Sequence, residues 1–325
     1  MTESTSIMGY ELHRGNAFQT LQEHYDENSI HAVVTDPPYG VVEFETAQME
    51  KMRDGVGGVW RIPPELDGSK RKPLPRFTVL TENDKDKLRT FFRTFGEVVE
   101  RVLQPGGHVF VACTQLLMHE VSTQLDAAGL ERRDVLVRES KTLRGGDRPK
   151  GAHDHPEYDM VSSMPRVWWE PWLLYRKPFD GRLEDNLDEW QTGGLRRESE
   201  DRPFVDQLEN GKTPKNETEI VRNAHPDDEN SEAHPNLKPQ HLMRELCHAA
   251  LPLQEGTILD PFMGSGSTVA AAHALGYDAV GIELDETFFG MAENAIPELA
   301  KIGTDVEKGE DVQEHRTRSR SLSDF

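Results

Sequence analysis

A chain of 325 residues can bury one sizeable core with large insertions, or two modest domains, and no run in it approaches the 18 consecutive apolar residues of a membrane span. Cys113 and Cys247, the only cysteines, argue against a disulfide framework and a cysteine-built zinc site, and the opening segment lacks the basic start and apolar run of a secretory leader, so the expected setting is cytoplasmic and reducing. A net charge of -21 argues against a nucleic-acid partner on bulk electrostatics, so any such partner must be read from local features.

In chain order, IHAVVT at 30–35 reads as a short buried strand, broken by Pro37 and Pro38 of DPPYG. Residues 43–80 are rich in Gly, Pro and charge and suggest a long loop beside the strand end. Apolar positions at helical spacing over 84–102 predict a helix, followed by the turn QPGG and the strand HVFVAC. A second helix is expected over 115–128. After GLERRDVLVRES comes a basic, glycine-containing stretch and then PRVWWEPWLLYRKPF, whose Trp168, Trp169 and Trp172 are read as packing residues. Residues 180–235 hold 16 acidic and seven basic residues with little periodicity, and are expected to form a polar surface insertion, partly disordered. Order returns with a helix over about 238–250. The tail from about 303 is expected to fray. Alternating strand and helix signals predict an α/β sheet with helices on both faces.

Residues 256–268, GTILDPFMGSGST, carry the next signal. TIL reads as a strand ending at Asp260, and GSGST as the turn into the helix TVAAAHAL. Glycines at such a turn let a ligand approach the backbone and the helix N-terminus. The following strand, in GYDAVGIELD, ends at Glu283, 19 residues beyond Gly264, an offset at which an acid commonly holds ribose hydroxyls. The spacing G-x-G lacks a third glycine and the turn lacks Gly-Lys-Ser/Thr, so neither a dinucleotide fingerprint nor a P-loop is complete.

DPPY at 36–39 and DPFMGSGST at 260–268, with HPNLKP, ERVLQPGGHVFV and GYDAVGIELD around them, make the chain resemble the S-adenosyl-L-methionine-dependent DNA amino-methyltransferases of N6-adenine/N4-cytosine type. The catalytic motif comes first and the cofactor motif late, as in the permuted β group. The resemblance covers roughly residues 9–40, 88–180 and 234–298. It implies a Rossmann-like class I methyltransferase sheet with a polar inserted recognition region. The expected divisions are a catalytic-motif half over 1–140, a target-recognition insertion over 141–235, a cofactor half over 236–302 and a flexible tail over 303–325. Asp260, Phe262, Gly264 and Gly266, with Ser265 in the same turn, would line the methionine and backbone side of the cofactor. Thr268 would assist there, Glu283 would hold the ribose, and Lys238 would sit near the cofactor. Where the family often has glycine-aspartate, this chain has Gly15 and Asn16, so an adenine contact through an aspartate is not carried over.

By the same resemblance, the catalytic group would be Asp36, Pro37, Pro38 and Tyr39. An exocyclic amino group is a poor nucleophile because its lone pair is delocalised into the ring. Asp36 can accept one amino hydrogen and the Pro37 carbonyl the other, which steers the lone pair toward the sulfonium methyl. Neither proline donates a backbone hydrogen, so the turn presents acceptors and a rigid shape. Tyr39 can stack on a base flipped out of double-stranded DNA. Residues 138–150 contain five basic and two acidic residues, a local reversal of the chain's charge, and Lys141, Arg144, Arg148 and Lys150 there are candidate DNA contacts. A second basic cluster, SKRKPLPR at 69–76, could follow the backbone beside the flipped base. Within the family that the chain resembles, Asp in the first place of DPPY leans toward adenine N6, with cytosine N4 the alternative. An RNA or protein-glutamine methyltransferase and a non-catalytic DNA-binding protein are the remaining readings. Ring-carbon methylation lacks its proline-cysteine nucleophile, and both cysteines sit in apolar segments. A second copy of the chain in a homodimer and a cognate restriction endonuclease are partners that the sequence neither requires nor excludes. The dense acidic surface, strained by self-repulsion unless salt screens it, resembles that of halophilic cytoplasmic proteins.

Overall fold

A computed structural model describes residues 3–7, 9–38, 82–140, 155–162, 165–208, 213–225 and 237–304. In chain order the strands are β1 (Glu3–Ile7), β2 (Tyr10–Arg14), β3 (Ile30–Thr35), β4 (Leu103–Ala112), β5 (Glu131–Glu139), β6 (Trp169–Arg176), β7 (Gln207–Leu208), β8 (Thr257–Asp260) and β9 (Asp278–Glu283). The helices are α1 (Ala17–His24), α2 (Glu82–Val102), α3 (Met118–Ala127), α4 (Leu183–Trp190), α5 (Lys215–Asn223), α6 (Gln240–Ala250), α7 (Ser267–Ala274) and α8 (Glu286–Leu299).

The strands form one sheet in the order β1-β2-β9-β8-β3-β4-β6-β5-β7. From β2 through β4 all neighbours are parallel, while β6 runs antiparallel between β4 and β5. Central parallel strands are covered on both faces, and their sequences show it. Val109 and Val111 of β4 pack into one cluster with Val33, while Phe110 and Ala112 pack into the other with Ala32 and Val34. The first face is closed by α1, α2 and α3. Leu88, Phe92, Phe95, Val99 and Val102 of α2 fall on one stripe at helical spacing and are buried there. The opposite face is closed by α6, α7 and α8, through residues such as Leu246, Val269 and Ile296.

The chain leaves β3 for β4 on one side and β8 for β9 on the other, so the strand order reverses between β3 and β8. Beyond the carboxyl ends of strands at such a reversal, adjacent loops diverge and leave a crevice. Asp36 follows β3, and Asp260 closes β8. The sheet itself therefore brings the two sequence motifs to one edge.

Within 180–235, expected as a polar surface insertion, the described residues form regular elements. They supply β7 to the edge of the sheet, while α4 packs against β4 and α5 against α8. Trp172 is fully buried while Trp168 is exposed, so the tryptophans divide between core and surface. Residues 43–80, the basic clusters at 69–76 and 141–150, and the tail beyond 304 lie outside the described residues. Cys113 and Cys247 are both buried free thiols. Among the described residues no helix is long and apolar enough to cross a membrane.

Candidate active site

The turn after β8 is built around a buried carboxylate. Thr35 at the end of β3 donates its hydroxyl to Asp260 Oδ1 at 2.7 Å, and the Phe262 amide donates to the same oxygen at 3.1 Å. Thr268, in the first turn of α7, donates to Asp260 Oδ2 at 2.5 Å. Burial pushes the Asp260 carboxyl up to about 6, with the Thr268 and Thr35 hydroxyls and the Phe262 amide working against it, and the negative field of Asp36 adding to the rise.

Gly264 and Gly266 both take positive φ, at 53° and 85°. At Gly266 a β-carbon would lie 2.5 Å from Ile296 Cγ1, so the turn seats itself against α8 only because the side chain is missing. Ser265 and Ser267 are buried within the same turn. Phe262 lies in an aromatic group with Phe18, Phe91 and Phe95, at ring-centroid separations of 6.2, 5.5 and 5.8 Å. Glu283, at the end of the neighbouring strand β9, accepts the Gly264 amide on one carboxylate oxygen and the Asp285 amide on the other, both at 2.9 Å. Burial raises its pKa, and the Asp285 and Gly264 amides oppose the rise. The Leu284 amide also donates to this carboxylate, which keeps capacity to accept from a ribose hydroxyl.

Sheet order thus brings Asp260, Phe262, Gly264, Ser265, Gly266, Thr268 and Glu283 together as the sequence spacing suggested. The set fits S-adenosyl-L-methionine on structural grounds. It offers a carboxylate held by backbone amides, an apolar ring wall, and a turn carried by two glycines at positive φ. Asn16 does a different job. Its side chain caps α1, accepting from the Phe18 and Gln19 amides at 3.1 and 3.2 Å.

Beside this turn stands Asp36, with Pro37 buried and Pro38 exposed. Lys238 reaches Asp36. Its Nζ donates to Asp36 Oδ2 at 2.6 Å and to Glu170 Oε1 at 3.2 Å. Glu170, on β6, also accepts from Arg138 Nη1 at 2.9 Å and from the Trp172 indole at 3.2 Å. Burial resists ionisation of Glu170, but Lys238 and Arg138 outweigh it and hold its carboxyl below the usual glutamate range. Sequence reasoning passed over Glu170, Arg138 and Thr35. A lone acid inside the aromatic run WWEPW was the available signal for the first, since a carboxylate on a buried strand needs a cation. Tyr39, Lys141, Arg144, Arg148 and Lys150 lie outside the described residues. Burial pushes the Cys113 thiol up to about 12, with its backbone hydrogen bond opposing and the fields of Asp36 and Glu170 adding, and burial raises Cys247 as well. Neither is a ready nucleophile.

Comparison with known proteins identifies the family. Residues 30–294 match the DNA methylase family of N6/N4 type. The type II methyltransferase M.HindIII of Haemophilus influenzae is 24% identical over 286 residues, covering 83% of this chain and 90% of that one. M.HinfI, a type II methyltransferase from the same species, is 33% identical over 81 residues, 25% of this chain and 22% of its own. Among solved structures, PvuII DNA methyltransferase, described as cytosine-N4-specific, superposes with a TM-score of 0.56 at 14% identity, covering 94% of this chain and 89% of that one. A DNA modification methylase of Thermus thermophilus, TTHA0409, crystallised with S-adenosyl-L-methionine, gives 0.50 at 17% identity, covering 89% and 95%. At these identities the structural likeness is one of fold, the Rossmann-like sheet of class I methyltransferases.

Proposed function

The chain belongs to the DNA methylase family, and we propose that this S-adenosyl-L-methionine-dependent DNA methyltransferase modifies the N6 amino group of adenine in double-stranded DNA, after the base has flipped out of the helix. The observation that carries the reading is the meeting of Asp36 and Asp260 at the point where the strand order reverses. That meeting puts an amino-group acceptor beside a cofactor turn. It also supports the permuted β-type order, since the strand bearing DPPY precedes the strand bearing DPFMGSGST in the chain yet lies next to it in the sheet.

S-adenosyl-L-methionine supplies an electrophilic methyl group on a sulfonium. Glu283 holds its ribose hydroxyls, Gly264 and Gly266 let it approach the backbone, and Phe262 walls the site. Thr35 and Thr268 fix Asp260 so that the turn keeps one shape. On the substrate side, Asp36 and the Pro37 carbonyl each take one amino hydrogen, and Pro38 holds the turn rigid. Tyr39 offsets the stacking lost when the base leaves the duplex. Positioning of this kind, with preorganised acceptors, supplies most of the rate. Lys141, Arg144, Arg148 and Lys150 contact the DNA. The type II designation of the Haemophilus relatives supports a restriction–modification setting with a cognate endonuclease.

The fold serves both exocyclic amino groups, because a protein of similar fold is cytosine-N4-specific. The choice of adenine therefore rests on the Asp of DPPY. The test is transfer from labelled S-adenosyl-L-methionine to unmethylated duplex DNA in molar KCl, with nucleoside mass spectrometry of the product. N6-methyladenine is expected. N4-methylcytosine would keep the chemistry and overturn the base, and a product in RNA or protein alone would overturn the substrate.

A further inference from the structure

A chain of four charged side chains runs inward from Asp36. Lys238 bridges Asp36 and Glu170, and Arg138 holds the far side of Glu170. Side-chain exposures are 14% for Asp36, 6% for Lys238, 17% for Glu170 and 8% for Arg138, so water competes weakly for any of them. The four come from separate places in the chain: the end of β3, the segment before α6, β6 and β5. Their formal charges cancel. Buried networks of this kind give little net stability, because desolvation consumes most of the attraction. Their consequence is geometric.

Two carboxylates share one ammonium here. An ammonium has three donors and no acceptor, and a carboxylate that receives one of them is a weaker acceptor for anything else. Asp36 must accept an amino hydrogen from the target base. Glu170 is anchored on its other side by Arg138 and the Trp172 indole, so it stays in place when Lys238 moves.

We propose that Glu170 is a positioning residue for methyl transfer: it gives the Lys238 ammonium a second, fixed anionic partner, so that Lys238 yields Asp36 to the incoming amino group. The proposal rests on the methyltransferase reading above. Without Glu170, Lys238 serves Asp36 alone, and base and lysine compete for the same carboxylate. Asp260 and Cys113 also feel the charge of Asp36. Both remain in place in every variant below, so differences between variants report the network.

The test compares the wild-type protein with Glu170→Gln and Glu170→Asp. Glu170→Gln keeps an acceptor for the Trp172 indole while removing the charge. Steady-state methyl transfer is followed down through the acid range in which the protein stays folded, and the Asp36 carboxyl is titrated by 13C NMR over the same range, assigned with Asp36→Asn. In Glu170→Gln, kcat should fall about tenfold or more, with KM for cofactor and DNA within about twofold of wild type. The Asp36 titration and the acid limb of the rate profile should both move to lower pH, because the full charge of Lys238 then favours the ionised aspartate. Glu170→Asp should recover part of kcat and part of the titration shift. An unchanged kcat, or an unmoved Asp36 titration, would overturn the proposal. The titration needs no substrate, so it judges the coupling even if the wild-type protein transfers no methyl group to DNA, a result that would count against the substrate reading instead.

Discussion

Thr35 and Asp260 are 225 positions apart in sequence and 2.7 Å apart in space, the hydroxyl of one donating to the carboxylate of the other. This bond ties the last residue of the strand that presents Asp36 to the last residue of the strand that opens the cofactor turn. Thr268 closes the arrangement from α7 on the second oxygen. The loop after β3 and the turn after β8 therefore share one buried carboxylate as their common fixed point.

That carboxylate carries a pH signature. Its folded-state pKa is about 6 against an ordinary 3.8. Between those values the folded chain binds more protons than the unfolded chain, so this group's contribution to stability declines as pH rises from 3.8 to 6 and stays lost above. Asp260→Asn cannot titrate. In denaturant unfolding of the cofactor-free protein, the stability of Asp260→Asn minus that of wild type should grow by on the order of 1–3 kcal/mol between about pH 4 and 7. A difference that stays flat, or shrinks with pH, would mean that Asp260 is not held as described.

Gly266 gives a test of the cofactor turn. Alanine there would need a left-handed backbone, costing about 1–2 kcal/mol, and its β-carbon would press on Ile296, which is itself fully buried. Gly266→Ala should lower the melting temperature by several degrees and raise the cofactor Kd at least about tenfold, as read by calorimetry. Wild-type affinity in this variant would show that the turn does not meet the cofactor.

Much of this site was legible because its demands are local. Glycines at a turn needing positive φ, an acid at a strand end and a proline pair after an apolar run each leave a mark within a few residues. Glu170 left almost none, since its importance lies in Lys238 and Arg138, which only the folded sheet brings near. The position of β6 was equally hidden, because an antiparallel return between β4 and β5 depends on pairing across the sheet. The helices α4 and α5 escaped notice for another reason: their buried residues are mostly polar. Asn186 is the buried residue of α4, and its amide binds the carbonyls of Pro105 and Thr192. In α5, Glu217 is buried beside Val221 and accepts the Gln240 amide at the start of α6. Periodicity of apolar residues cannot find a helix whose inward face is an amide or a carboxylate.

The halophilic reading of the net charge of -21 predicts a concentrated-salt working medium. At about 1 M salt the screening length is about 3 Å, short enough to silence repulsion between surface carboxylates. The same salt weakens phosphate contacts, so recognition must lean on shape and base edges. Methyl transfer measured against KCl concentration should peak in the molar range, with melting temperature rising in parallel. A maximum at low salt, with no gain in stability from KCl, would refute the halophilic reading.

The central claim is that Asp36 acts on the substrate while the turn from Asp260 to Glu283 holds the cofactor. Asp36→Asn separates the two, since asparagine keeps the shape and loses the charge. Cofactor affinity by calorimetry and single-turnover transfer to duplex DNA should be measured on the same preparation. The expected result is a Kd within a few-fold of wild type with transfer reduced about 10²–10⁴-fold. Retained transfer, or loss of cofactor binding in step with loss of transfer, would contradict the placement of Asp36 at the amino group.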